Sequence, residues 1–302
     1  MTIPTYDSLS CIFNDQEKAY QYAVEKKLIK EKKECCNIMM IKYDEKKIKC
    51  TRCGDIESIF KDTIFYKKKK KINDTLLLFY LSLTKTPSTK ILLQYCNRYT
   101  TKTVYETKQL YHEILTKDLI KKEDEVDDKE ILSNVYDKRS IEKIGGRNII
   151  VQIDESKFTK KKYGKGSGED GKWVLGGVEK TKERKIFMIV VEERTEATLL
   201  DIITRNVKQG SVIHTDLWKS YNSLKEFGYT HKQVDHKKQF KTKDGVDTNT
   251  IEGNWASAKY MIKPAGRGDK TLQPYLDEHI WRRRNENYIW SAFLNAVKNY
   301  EK

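Results

Sequence analysis

Three acidic residues stand where phosphoryl-transfer chemistry would place them. Asp154 ends the apolar run Ile-Ile-Val-Gln-Ile, Asp216 ends Ser-Val-Ile-His-Thr, and Glu252 opens a helical stretch after a polar loop. Acids make up 44 of the 302 residues, so placement rather than occurrence carries the argument. Convergent carboxylates suit Mg²⁺ or Mn²⁺, which prefer oxygen ligands. Two such ions about 3.5–4 Å apart activate an attacking oxygen and stabilise a leaving one. The plainer alternatives are strand-end caps for the aspartates and a first-turn acid favoured by the helix dipole for Glu252. A phosphodiester substrate also calls for cations. Residues 157–165 hold five lysines and no acid, among them Lys160, Lys161 and Lys162. Lys237, Lys238, Lys241 and Lys243 flank the loop before Glu252. His236 lies in that stretch and is either a substrate contact or a surface histidine.

A second set of residues could hold a different metal. Cys50-Thr51-Arg52-Cys53-Gly54 is a tight turn that aims two thiolates at one ion. A four-cysteine zinc site needs two such knuckles, and the other half here is the adjacent pair Cys35-Cys36. Neighbouring cysteines do not fit the usual knuckle. Cys36, Cys35 and Cys11 therefore compete for the places beside Cys50 and Cys53, with purely structural thiols as the alternative. Six cysteines without an export signal point to a reducing compartment, where metal ligation is read before disulfides. Cys96 reads as a packed thiol.

The elements that must position the carboxylates follow from the hydrophobic pattern. Residues 149–154, 173–178 and 186–191 read as three successive strands, 198–207 as a helix, and 211–213 as a fourth strand. Residues 217–227 are helical, 232–234 a fifth strand, and 251–262, 272–285 and 289–297 helices. Three strands, then helix, strand, helix, strand and helix is the order of an α/β ribonuclease-H-like domain with a mixed five-stranded sheet. In such a sheet the first and fourth strands are neighbours, so Asp154 and Asp216 converge and a following helix can deliver Glu252.

Upstream, 76–83, 89–95 and 101–115 read as helices, the last with Val104, Leu110, Tyr111 and Leu115 on a core face. Two short helices, a turn and a longer helix resemble a helix-turn-helix, in which Lys102, Thr103, Tyr105 and Lys108 would face DNA. The expected division is an N-terminal segment over 1–34, a zinc-ribbon-like module over 35–66 and a helix-turn-helix region over 72–116. A linker over 117–147 and a catalytic domain with C-terminal helices over 148–302 complete it. The lysine run 67–71 is either a solvated linker or a phosphate-contacting or nuclear-import segment. Arg282, Arg283 and Arg284 either track phosphates or solvate a helix. Trp218, Tyr221 and Trp255 read as core packing. Net charge is +15 and the pI is near 9.3, which favours a polyanionic partner. The most apolar run, 76–83, is far shorter than the roughly 20 residues of a membrane span.

Four strings resemble one family. Ile-Asp-Glu-Ser (153–156), His-Thr-Asp-Leu-Trp-Lys-Ser-Tyr (214–221), Thr-Asn-Thr-Ile-Glu-Gly-Asn-Trp (248–255) and Tyr-Leu-Asp-Glu-His-Ile-Trp-Arg (275–282) resemble the Merlin superfamily of cut-and-paste transposases. They look equally like the related bacterial insertion-sequence transposases. With the CxxCG motif and the helical region, the resemblance covers about residues 35–285. It implies a DDE catalytic domain with Asp154, Asp216 and Glu252 as ligands of two Mg²⁺ or Mn²⁺ ions. It also implies a basic residue seven positions after the third acid, which is Lys259, a candidate DNA contact on the same helix face. Some bacterial relatives carry asparagine as the third ligand, which keeps Asn249 and Asn254 in view beside Glu252.

The function so implied is a DNA transposase that binds terminal inverted repeats, cleaves the element's ends by metal-dependent hydrolysis and joins the 3′-hydroxyls to target DNA. Its partners would be double-stranded DNA and further copies of the chain, as a homodimer or larger synaptic complex. Structural Zn²⁺ would accompany the catalytic ions. The compartment would be the nucleus, towards which 67–71 tilts, or the cytoplasm of a prokaryote. The alternatives are a domesticated DNA-binding descendant, and another ribonuclease-H-like nuclease acting on hybrids or junctions.

Overall fold

The structure is a computed structural model. It describes residues 3–30, 33–66, 71–84, 99–120, 142–158, 171–235, 242, 244–263, 267–268 and 271–300. Lys160, Lys161, Lys162, His236, Lys237, Lys238, Lys241, Lys243, Cys96, the helix expected over 89–95 and most of the lysine run lie outside these residues, as does 121–141 of the expected linker. The chain divides into two units, Met1–Asp118 with Asn285–Lys302, and Leu119–Arg284. No helix among the described residues is long and apolar enough to cross a membrane.

The first unit is built on α3 (Ile72–Leu83), which buries residues on all sides, from Ile72 and Leu76 round to Leu78, Phe79 and Tyr80. A helix apolar all round needs cover all round. The cover comes from α1 (Tyr6–Asn14), α2 (Gln16–Glu25) and α8 (Ile289–Asn299), and from Val104 of α4 (Thr101–Leu119), which clusters with Leu78. Asp15 separates α1 from α2 and caps the latter, its Oδ1 accepting from the Glu17 and Lys18 amides. Phe79 meets Phe293 edge-on at 5.1 Å, and Tyr80 meets Phe13 at 5.1 Å and Trp290 at 5.8 Å. Thus α8, read above as part of the catalytic domain, packs on α3 instead. On α4 the core face is Val104, Thr107, Tyr111, Ile114 and Leu115, with Leu110 only half-buried. Five short strands, β1 (Glu34–Cys35), β2 (Ile38–Met39), β3 (Ile41–Lys42), β4 (Lys47–Lys49) and β5 (Ile56–Ser58), form a two-stranded and a three-stranded antiparallel sheet.

The second unit holds a five-stranded mixed sheet. β6 (Ile150–Lys157), β7 (Trp173–Glu179) and β8 (Ile186–Val191) form an antiparallel meander. Helix α5 (Glu196–Asn206) leads to β9 (Val212–Thr215), which lies parallel beside β6. The 3₁₀ helix Lys219–Phe227 leads to β10 (Thr230–Gln233), parallel beside β9, so the order is β10-β9-β6-β7-β8. Val151, Ile153, Leu175, Ile189 and Ile213 pack on one face with Leu199 and Ile203 of α5. Helix α6 (Asn249–Met261) covers the other face at β6 and β7, and α7 (Leu272–Arg284) lies along β8. β8 is an edge strand, and α7 blunts it. Gln273 accepts from the Val190 amide at 2.8 Å and donates to the Met188 carbonyl at 3.0 Å.

Candidate functional site

Asp154 does not end its strand, as the sequence suggested. β6 runs on to Lys157 because β7 pairs with it as far as Lys157↔Trp173. On the other side β9 pairs only as far as Gln152↔His214. Asp154 therefore stands just past the point where β9 leaves β6, and Asp216 follows the last residue of β9. Strand alternation turns Gln152, Asp154 and Ser156 to the α6 face, and Ile153 and Glu155 to the opposite one.

Helix α6 keeps step with β6 over three contacts. Gln152 Oε1 accepts from the Thr250 and Ile251 amides at 2.8 and 3.1 Å. Trp255 Nε1 donates to Asp154 Oδ2 at 3.0 Å, and Lys259 Nζ donates to Ser156 Oγ at 2.6 Å. Four helical residues rise about 6 Å and two strand residues about 6.6–6.8 Å, so the two ladders match. The start of α6 is held by a buried network. Gln152 Nε2 donates to Asp247 Oδ1 and Lys180 Nζ to Asp247 Oδ2, both at 2.6 Å. Its end is held by Arg267, which donates to the carbonyls of Lys259, Ile262 and Phe158.

Glu252 lies in the first turn of α6, exposed, and accepts from Thr248 Oγ1 at 3.1 Å. Asp216 Oδ1 accepts from the Trp218 amide at 3.0 Å. Asp216 and Glu252 lie near enough to Asp154 for their charges to act on it. Burial pushes the Asp154 carboxyl up to about 6; the Trp255 hydrogen bond opposes the rise, and the charges of Asp216 and Glu252 add to it. Such mutual repulsion between oxygen donors is the condition a divalent cation relieves.

Several residues of this site escaped the sequence reading. Trp255 is packed as expected, yet it also binds Asp154. Gly176 makes room for it, since a Cβ there would lie 2.5 Å from the indole. Gln152 and Asp247 gave no signal beyond their polarity, although the alternation Gln152, Asp154, Ser156 on one strand face was visible. Glu155 is pushed up to about 8, by burial first and then by Asp154 and Asp216, with Arg194 opposing. The Arg194 guanidinium lies 3.4 Å from the centre of the Trp173 ring and 4.8 Å from that of Trp218.

The ISXO2-like transposase domain matches residues 144–284, the stretch that contains all three acids. An uncharacterized transposase-like protein of Haemophilus influenzae is 32% identical over 102 residues, spanning 33% of this chain and 82% of that protein. The chain belongs to the ISXO2-like transposases. That relative is bacterial, which removes the support for a nuclear placement drawn from 67–71.

This ISXO2-like transposase carries a candidate metal centre in its first unit. Among the described residues, only Cys35, Cys36, Cys50 and Cys53 form a group of three or more potential ligands whose atoms all lie within 4.8 Å of one another. The Cys35 sulfur lies 3.8 Å from that of Cys36 and 3.6 Å from that of Cys53. A tetrahedral Zn–S bond of about 2.3 Å implies sulfur–sulfur edges of about 3.8 Å. The adjacent cysteines fit because Cys36 and Asn37 form the two-residue turn between β1 and β2, with φ of 54° and 60°. That left-handed turn swings Cys36 round to the side of Cys35. In the second loop, the backbone amides of Cys53 and Arg52 draw the Cys50 thiol down to about 7. Cys11 lies on α1 and is not part of the group. Of the candidate DNA contacts on the transposase's α4, Lys102 and Tyr105 are exposed, and Thr103 and Lys108 half-buried.

Proposed function

We propose that this transposase is a DDE-type, cut-and-paste enzyme. Asp154, Asp216 and Glu252 would hold two Mg²⁺ or Mn²⁺ ions in a ribonuclease-H-like domain. One observation carries the reading: Asp154 on β6 feels the charges of Asp216, just after β9, and of Glu252 on α6, all three inside the matched segment. The sheet order, with two parallel strands set beside the first strand of a meander, supports the domain type. When bound, the ions supply activation of the attacking oxygen and stabilisation of the leaving one.

The chain's own residues orient and hold. Trp255 fixes the Asp154 carboxylate, Thr248 holds Glu252, and the Trp218 amide holds Asp216. In the first reaction a water oxygen bonds to phosphorus at the element's end and the P–O3′ bond breaks, freeing a 3′-hydroxyl. In the second, that hydroxyl's oxygen bonds to a target phosphorus and the target's 3′-oxygen leaves. Neither step needs a covalent enzyme intermediate. Lys259, beside Ser156, would contact the DNA, as would Lys160, Lys161, Lys162 and His236. Lys102, Thr103, Tyr105 and Lys108 of α4 would bind the terminal inverted repeats. Zn²⁺ on the four cysteines would brace the N-terminal module. Two ends must be held at once, so the working form would be a dimer or a larger assembly, in bacterial cytoplasm. Kinship with the Merlin superfamily is the finer form of the same resemblance.

The test is cleavage of a labelled duplex carrying the gene's flanking repeats, with Mg²⁺ or Mn²⁺, scored together with joining to a plasmid. Wild type should cut and join, and Asp154→Ala should do neither. Wild-type cleavage by Asp216→Asn would sink the reading.

A further inference from the structure

Strand pairing beside the carboxylates is lopsided. β9 leaves β6 after Gln152↔His214, whereas β7 stays with β6 to Lys157↔Trp173. Asp154 rides on β6, and Asp216 on the segment that follows β9. Among the described residues, no strand pair therefore ties the two acids to each other. Carboxylates that share ions must nevertheless keep a set separation. Something besides the sheet has to supply it.

One side chain spans that gap on the α5 face. Arg194 comes three residues after β8 ends. Its guanidinium carbon lies 3.4 Å from the centre of the Trp173 ring and 4.8 Å from that of Trp218. Both rings pack on the α5-side core. Trp173 opens β7 and is fixed by its pairing with Lys157 and Val191. Lys157 also lies over its ring, at 5.7 Å. Trp218 is the residue whose amide donates to Asp216 Oδ1 at 3.0 Å, and its ring meets Tyr221 edge-on at 6.0 Å. A line of contacts thus runs from β7 through Arg194 and Trp218 to Asp216. Glu155, which points to the same face beside Asp154, feels the Arg194 charge. An arginine on one ring would be ordinary packing. Its reach to a second ring, on the segment that carries Asp216, gives it a task.

We propose that Arg194 is a positioning residue for the carboxylate site: its guanidinium braces Trp218 against Trp173 and so sets the place of Asp216 relative to Asp154. The inference rests on the transposase reading, in which these two acids share ions. A guanidinium suits the task because it is planar and stacks on aromatic faces, whereas an ammonium is a compact, strongly hydrated point charge. Arg194 acts through Trp218 and in this role touches neither metal nor DNA.

The experiment measures Mn²⁺ binding to the full chain without DNA, by electron paramagnetic resonance, and the affinity for a labelled end duplex without metal. The proteins are wild type, Arg194→Lys, Trp173→Leu, the double variant and Asp154→Ala. Arg194→Lys keeps the charge and loses the planar stack. It should bind Mn²⁺ about 3–10-fold more weakly, as should Trp173→Leu. The double variant should bind no more weakly than the weaker single variant, because both changes remove one contact. Duplex affinity should stay at the wild-type value in all three. Wild-type Mn²⁺ affinity in Arg194→Lys overturns the brace, whether or not its melting temperature falls, and so do additive losses in the double variant. Weaker duplex binding with unchanged Mn²⁺ affinity also overturns it, and makes Arg194 a DNA contact. If Trp173→Leu does not fold, Arg194→Lys alone decides. Equal Mn²⁺ binding by wild type and Asp154→Ala overturns the carboxylate reading, and the brace with it.

Discussion

Trp255 and Asp154 are joined by a 3.0 Å hydrogen bond that runs from the third layer of the second unit into its sheet. It links a packing residue to a candidate metal ligand, and it makes the position of that carboxylate depend on how α6 sits. Trp255→Phe keeps the ring over Gly176 and removes the donor. A hydrogen bond to a charged group contributes about 1.5–3 kcal/mol, so the loss should appear as a lowered melting temperature. End cleavage should fall about ten- to a hundredfold. Unchanged cleavage would show that Asp154 does not need the indole.

Gly176 faces Asp154 across the β6–β7 register and lies under the Trp255 ring. Gly176→Ala would place a methyl 2.5 Å from that ring, and both neighbours are confined by the core. Overpacking of this kind costs about 1–3 kcal/mol. The variant should melt several degrees below wild type and lose cleavage with it. Wild-type stability would mean that the helix shifts freely.

Gln152 is fully buried and satisfies two amides of α6 together with Asp247. Gln152→Leu keeps the volume and removes the acceptor of the Thr250 and Ile251 amides, each costing about 1–3 kcal/mol where it stays buried, while Asp247 keeps Lys180 and the Asn249 amide. Thermal melting should show a large loss. Gln152→Glu removes the donor to Asp247 and sets a second carboxyl beside it, so it too should be unstable. A stable Gln152→Leu protein would mean that α6 is held by its apolar face alone.

The four-cysteine group predicts one zinc per chain. Cys50→Ser should lose the metal, and chelation should unfold the module around residues 33–66, since structural zinc supplies folding energy directly. Cys11→Ser should keep full zinc content. Zinc retained in Cys50→Ser, measured by elemental analysis, would contradict the assignment.

His231 shares a 2.8 Å hydrogen bond with Thr215 Oγ1, and burial depresses its imidazole to about 4, with Lys225 and His214 acting in the same direction. The unfolded value is about 6.5. Above it neither state carries the proton and the stabilisation is complete. As pH falls from 6.5 towards 4, the unfolded chain takes up a proton that the folded chain refuses, and stability drops. Melting at pH 7.5 and 5.0 should show a smaller drop for His231→Gln than for wild type. The comparison separates the imidazole from Asp154 and Glu155, whose raised values act in the opposite sense. An equal drop in both proteins would remove His231 from the acid response.

What the sequence determined by itself was local. The run 186–191 is the strand Ile186–Val191, and the other strands and helices of the second unit fall within a few residues of their expected places, because period and turn residues act over short stretches. The positions of Asp216 just after its strand and of Glu252 in the first turn of its helix were legible for the same reason. The tertiary structure decided what depends on partners distant in sequence. β6 outlasts Asp154 because β7, some twenty residues on, keeps pairing with it. α8 joins α3 because a helix apolar all round accepts cover from any part of the chain. Cys36 reaches Cys35 through a left-handed turn that residue types did not announce. Gly176 and Gly253 look alike in sequence. One is a glycine because an indole fills its space, while the space at the other is left open, and only the packed fold distinguishes them.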